Sequence, residues 1–176
     1  MTEPKEGRKR RRARMVIGAA FLVAAVAVGA ILLLAGPAKA KQFATLRVLD
    51  GSVQVSHDGE GFQPGEDGES LQQGDVVRTG AGRAEIEYFD GSITRLDRGS
   101  TLDLVELASI EGDRDSRLIE GRLDPGKTFN RVVEITDSQS RFDVATPTAT
   151  ASVRGTAHVT EHASDGTFTL WVLDGE

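Results

Sequence analysis

The chain contains no cysteine. That excludes disulfides, thiolate catalysis and Cys-ligated zinc together. It leaves the compartment open, because a Cys-free chain folds in either redox environment. Aromatic residues are few: one Trp, one Tyr and seven Phe, so rings able to stack on a sugar are scarce. Histidine occurs only at His57, His158 and His162. Past residue 36 no apolar run keeps a period of 3.6, which argues against helices in the body of the chain.

Charge is present but unevenly placed. The 176 residues hold 21 basic and 27 acidic side chains. Seven of the basic residues and two of the acidic ones (Glu3 and Glu6) fall in residues 1–14, which leaves 14 basic against 25 acidic for the rest. An acidic body repels phosphates and is a poor nucleic-acid binder. The basic tail suits anionic lipid headgroups.

After Arg14 comes "MVIGAAFLVAAVAVGAILLLAG", Met15 to Gly36, 22 residues without a charge. About 20 apolar residues in a helix span a hydrocarbon core of roughly 30 Å. The positive-inside rule then places residues 1–14 in the cytoplasm and the body outside. The alternative is a signal peptide cleaved after "AKA", Ala38 to Ala40, which would release the body as a secreted protein. A signal core is usually shorter than this run, so an uncleaved anchor is the preferred reading. Residues 37–44 read as a linker.

From residue 45 the pattern is short alternation. Leu46 and Val48, Val53 and Val55, and Ile86 and Tyr88 repeat every second residue around Gly turns, and Ile93 and Leu96 follow the turn after Tyr88. This predicts half-buried antiparallel strands. Asp-Gly occurs at residues 50, 58, 67, 90, 165 and 174; it suits type I′ hairpins. The fold class is mainly β, an antiparallel β-sandwich or jelly-roll-like domain after one transmembrane helix. Residues 108–128, dense in charge with Gly and Pro, read as surface loop around one short strand near Leu118 to Leu123. "LRVLDGS" at Leu46 returns as "LWVLDGE" at Leu170, and that second copy predicts a further strand after Glu176.

Three motifs imitate chemistry. "GRLDPGKT", Gly121 to Thr128, spells a phosphate loop, in which Lys127 would meet phosphates and Thr128 magnesium. That works only between a strand and a helix; "FNRVVEITD" follows instead, and Pro125 removes an N–H. A hairpin turn is the better reading. "HVTEH", His158 to His162, spells an inverted zinc-peptidase motif. On a strand the two rings share a face about 13 Å apart, too far to chelate one ion, and they read as surface histidines. "TGAGRAE" at Thr79 lacks the third Gly of a dinucleotide loop. No nucleophile elbow and no 12-residue calcium loop is present. The sequence therefore implies no catalytic residue, cofactor or metal ligand, and no enzyme.

With the strands in order, several pieces resemble the FecR protein domain of the ferric citrate regulator family. They are "GSVQV" at Gly51, "LQQGDVVRTGAGRAEIEYFDGSITRLDRGSTLDL" at Leu71, "EGRL" at Glu120, "FDVATPTATASVRGTAHVT" at Phe142 and the closing "TFTLWVLDGE". The resemblance covers nearly all of residues 45–176. It implies a jelly-roll-like domain outside the cytoplasm in a protein that crosses the inner membrane once. It also implies that Pro147, Arg154, Gly155 and Thr156 form a structural crossing rather than a reactive site. Pro147 would fix an extended entry and Gly155 a turn between strands. Founding members regulate a sigma factor through a cytoplasmic N-terminal domain. The tail of 14 residues carries no apolar face for that, which points to an anchored binding, sensing or scaffold module with a protein or glycan partner in the cell envelope. The alternative is sigma-factor regulation through a separate cytoplasmic partner.

Overall fold

The structure, a computed structural model, describes residues 38–111 and 113–174. The expected membrane helix at 15–36, the tail at 1–14 and the last turn at Gly175 lie outside the described residues. No helix among the described residues is long and apolar enough to cross a membrane.

The strands are β1 (Lys39–Lys41), β2 (Ala44–Asp50), β3 (Val53–Ser56), β4 (Gln63–Pro64), β5 (Ser70–Leu71), β6 (Val76–Thr79), β7 (Arg83–Tyr88) and β8 (Ile93–Leu96). They continue as β9 (Thr101–Ile110), β10 (Asp113–Leu123), β11 (Gly126–Arg131), β12 (Arg141–Ala145), β13 (Thr150–Val153), β14 (Ala157–His162) and β15 (Phe168–Asp174). The first sheet runs β13-β12-β10-β9-β6-β3-β4, with β1 added on β9; the second runs β15-β14-β11-β8-β7-β2-β5. Residues 39–41, inside the stretch read as linker, are thus paired into the first sheet.

Alternation builds one core from both sheets. Val55, Val77, Leu102, Leu104, Ile119 and Phe142 come from the first, and Leu46, Ile86, Tyr88 and Leu96 from the second. Tyr88 meets Phe142 edge-on, with centroids 5.5 Å apart and planes at 86°. The Tyr88 hydroxyl donates to Thr94 Oγ1 at 3.1 Å, and burial raises its pKa. The fold is mainly β, as the period of two implies.

The short strand expected at Leu118 to Leu123 is present, but most of the residues around it are strand rather than loop. β9 extends to Ile110, and β10 is paired on both sides, antiparallel to β9 and parallel to β12. Arg117 reaches Asp90 at 3.4 Å, while Glu120 and Arg122 stand on the face of the sheet turned away from the core. Glu120 and Asp143 lie near Arg141 there, at 3.7 and 3.5 Å. The sheets are therefore not wholly antiparallel. β11 leaves for the second sheet between β10 and β12, which supplies the crossover that parallel neighbours need.

A bulge explains why Val105 breaks the alternation. Leu104 pairs with Gly121 and Glu106 with Glu120, so two steps on β9 match one on β10 and Val105 has no mate. The extra residue keeps Leu102, Leu104 and Leu107 all on the core face. It turns Glu106 outward, where Lys39 and Arg141 both pair with it.

The Asp-Gly turns differ from expectation. Both residues have positive φ only at Asp58 (46°) and Gly59 (78°). Elsewhere among the described turns only the glycine does, and at two of them the aspartate side chain closes the turn. Asp90 Oδ1 accepts the Ser92 N–H and Asp165 Oδ1 that of Thr167, both at 2.9 Å. Such a bond closes the turn without left-handed Asp. Asp50-Gly51 and Asp67-Gly68 are not hairpins at all; they carry the chain between sheets.

The repeated sequence takes a repeated shape. In β2, Val48 pairs with Ala84 and Asp50 with Arg83, leaving Leu49 as a bulge. In β15, Val172 pairs with His158 and Asp174 with Ala157, leaving Leu173 as the same bulge. Both leucines face solvent.

Candidate functional site

The outer face of the second sheet carries a straight row across four strands. Arg95 of β8 pairs with Phe129 of β11, Phe129 with Val159 of β14, and Val159 with Trp171 of β15. Directly paired residues share a face, so the row is continuous. Phe129 and Val159 are half-buried, and Trp171 is 43 % exposed. The Arg95 guanidinium stands 5.8 Å from the Phe129 ring centre and the Lys127 ammonium 5.4 Å from that of Trp171. Each cation is also held by a carboxylate: Lys127 by Glu161 at 2.9 Å and Arg95 by Glu85 at 2.5 Å. Leu49, Arg83, Arg95, Lys127, Phe129 and Val159 line an open groove on this face. Arg83 is anchored to Asp50, whose pKa it lowers through their hydrogen bond.

This surface has rings, aliphatic area and cations each paired with a carboxylate. Its chemistry is that of recognition: apolar contact along the row and polar selection at its margins. Sequence periodicity alone does not assemble it. The period of two placed each residue on a face, but the neighbouring strands come from distant parts of the chain.

The phosphate-loop motif lies where β10 of the first sheet passes to β11 of the second. It is an inter-sheet corner, not the hairpin expected. The Lys127 N–H donates to Ser100 Oγ at 3.0 Å, and Thr128 is wholly buried. A Cβ on Gly126 would fall 2.5 Å from the Ser100 backbone. Donors that would cradle a phosphate are spent on the corner.

His158 and His162 share one face of β14, as expected of a strand, but they are buried rather than at the surface. That face turns inward, as the burial of Thr128, Asn130 and Thr160 beside them shows. Burial lowers the pKa of His158, partly offset by the Thr156 carbonyl. Among the described residues, no group of three or more His, Cys, Asp or Glu is placed to hold a metal ion. His162 Nδ1 lies 3.2 Å from Asp124 Oδ1, whereas His57 stands between two carboxylates. The His57 Nε2 lies 2.8 Å from Glu69 and its Nδ1 3.0 Å from the buried Asp75. The Glu69 hydrogen bond, then that of Asp75, raises its pKa against a desolvation penalty.

Pro147 sits in the turn from β12 to β13, which Thr146 closes by accepting the Ala149 N–H on its Oγ1 at 3.1 Å. Arg154, Gly155 and Thr156 form the corner from β13 in the first sheet to β14 in the second. The corner is stitched to residues 132–137. Ile135 N–H donates to the Arg154 carbonyl at 3.4 Å and Val132 N–H to that of Thr156 at 3.2 Å. Arg154 donates to the Asp137 carbonyl rather than to a carboxylate. The structure groups these three and leaves Pro147 at the far end of β13.

A family model described as FecR protein matches residues 75–176. The match starts at the buried Asp75 and takes in the row, its groove apart from Leu49, and the 154–156 corner. Comparison with curated proteins and with solved structures found no match.

Proposed function

Because the chain belongs to the FecR protein family, we propose that it is a regulatory protein of the cell envelope, acting by binding rather than catalysis. Residues 15–36 anchor it as a single-pass protein with residues 1–14 in the cytoplasm. A jelly-roll-like β domain outside then senses, binds or scaffolds a protein or glycan partner. The charge step at Arg14 supports the topology. The observation that carries the binding role is the continuous row Arg95–Phe129–Val159–Trp171 beside an open groove. An acidic body with an aromatic row suits a partner met by contact area more than by charge. Sigma-factor control through a separate cytoplasmic partner is the second reading, and family membership is what favours it.

Two measurements test this. A reporter fused after residue 174 is active only outside the cytoplasm, and the chain stays with membranes through a carbonate wash. A photo-crosslinking residue at Phe129 captures a discrete envelope partner in cells, whereas one at Arg122, on the other sheet, does not. Cytoplasmic reporter activity sinks the topology. Equal capture at the two positions sinks the binding face.

A further inference from the structure

We propose that β15 is a docking edge for a second copy of this chain, which pairs with it antiparallel about a two-fold axis at Trp171.

The other sheet edges are blunted. Among the described residues, β4 and β5 have two residues each, β4 holds Pro64, β1 has three with a lysine at either end, and β13 has four. Short strands and proline are the ordinary protection of an edge. β15 has seven residues, with no charge from Phe168 to Leu173 and no proline. Leu170, Trp171, Val172 and Leu173 are all exposed, so both faces of the strand are apolar and open.

Among the described residues its backbone is also unspent. The Ala163 N–H donates to the Thr167 carbonyl at 2.9 Å, which fixes the phase of the hairpin. Bonding alternates along an antiparallel pair, so Thr169 and Trp171 bond toward β14, and Leu170 and Val172 point their N–H and C=O groups outward. β2, with the same sequence and bulge, shows what such an edge takes when covered. There the corresponding Leu46 receives Gly68 N–H and gives its own N–H to Glu69, both at 2.8 Å. Val48 N–H, the counterpart of that on Val172, bonds Asp67 Oδ1 at 3.1 Å. Leu46 is 0 % exposed and Leu170 39 %.

A second copy fits because the strand is complementary to itself. Centred on Trp171, Leu170 faces Val172 of the other copy in a hydrogen-bonded pair, and Thr169 faces Leu173. No like charges meet, although the body is acidic. The outward groups of Leu170 and Val172 pair reciprocally. The two Trp171 rings meet at the centre, so the row Phe129–Val159–Trp171 runs on into its mate without a break. The contact is isologous and closes at two copies. It stands apart from the partner proposed above.

The absence of cysteine gives a direct test. Directly opposed residues without hydrogen bonds bring their Cβ atoms within disulfide reach. In the full chain, kept in mild detergent, Trp171→Cys is expected to form a covalent dimer under mild oxidation. Thr169→Cys is not, because its mate lies about 13 Å along the strand. The parent is expected to sediment as a dimer that dissociates on dilution, and Val172→Lys as a monomer with an unchanged circular dichroism spectrum. A parent monomeric at every concentration overturns the proposal. So does a dimer that survives Val172→Lys, which would place the contact elsewhere, or equal crosslinking of the two cysteine variants.

Discussion

A Cβ added to Gly155 would stand 2.8 Å from the Cα of Glu134. The corner from β13 to β14 is pressed against the chain that leaves β11, and Gly155 also holds φ at +113°. Both conditions exclude a side chain, one by space and one by backbone geometry. Gly155→Ala is therefore expected to cost about 2–3 kcal/mol. Urea melts of the variant and parent measure it. Equal midpoints would show that the corner yields freely.

That corner was legible in outline because Gly between two β-prone runs marks a turn. Its partner was not, since Glu134 approaches from a different crossing between sheets. The same limit recurs through the molecule. Strand faces followed from Leu46, Val55 and Ile86 at period two. The choice of sheet for each strand did not, because Asp50-Gly51 and Asp90-Gly91 look alike locally, yet one crosses between sheets and the other closes a hairpin. Only the second half of β10, Leu118 to Leu123, was legible as a strand, because a charged stretch reads as a loop when the partners of its charges, such as Asp90 for Arg117 and Arg141 for Glu120, are unknown. The histidines of β14 were misplaced because alternation alone does not say which face turns inward.

Stability is expected to peak near neutral or slightly acid pH through two opposed histidines. The pKa of His57 is raised by Glu69 and Asp75, so its contribution is complete below the unfolded value near 6.5 and is lost as pH rises through the folded value. The pKa of His158 is lowered by burial, so its contribution is complete above about 6.5 and is lost as pH falls through the folded value. Melting profiles of His57→Gln should lose slope on the alkaline side of that point. Those of His158→Gln should lose slope on the acid side. His57 is partly exposed, so its limb is the shallower. An unchanged alkaline limb in His57→Gln would mean that the two carboxylates do not hold the proton.

Glu106 gathers Lys39 of β1 and Arg141 of β12 around one carboxylate with little exposure. Glu106→Gln keeps the shape and removes the charge. It is expected to cost about 1–2 kcal/mol, because both cations retain access to water. Lys127→Ala removes the more open pair with Glu161 and is expected to cost less than about 1 kcal/mol. The Glu106 effect should persist in high salt and the Lys127 effect should fade. Urea melts at two ionic strengths distinguish them, and equal sensitivity to salt would contradict the placement of Glu106.

Deleting a residue from a strand normally turns every later side chain to the wrong face. Val105 is an exception that follows from its bulge. Without it, Leu102, Leu104 and Leu107 stay on the core face, since Glu106 becomes the single outward residue between the last two. The pairing of Leu104 with Gly121 and Glu106 with Glu120 becomes regular. What is lost is the extra twist and a half-buried valine. Deletion of Val105 is expected to leave a folded domain, destabilised by no more than about 2 kcal/mol. Deletion of Asp103 makes Leu102 and Leu104 adjacent, and alternation then sends one of two buried leucines to solvent. That change is expected to cost about 3 kcal/mol or more, in the range of emptying a leucine site. Circular dichroism and urea melts of the two deletions decide it. A domain that tolerates both equally, or that unfolds only without Val105, would mean that the extra residue sits elsewhere on β9.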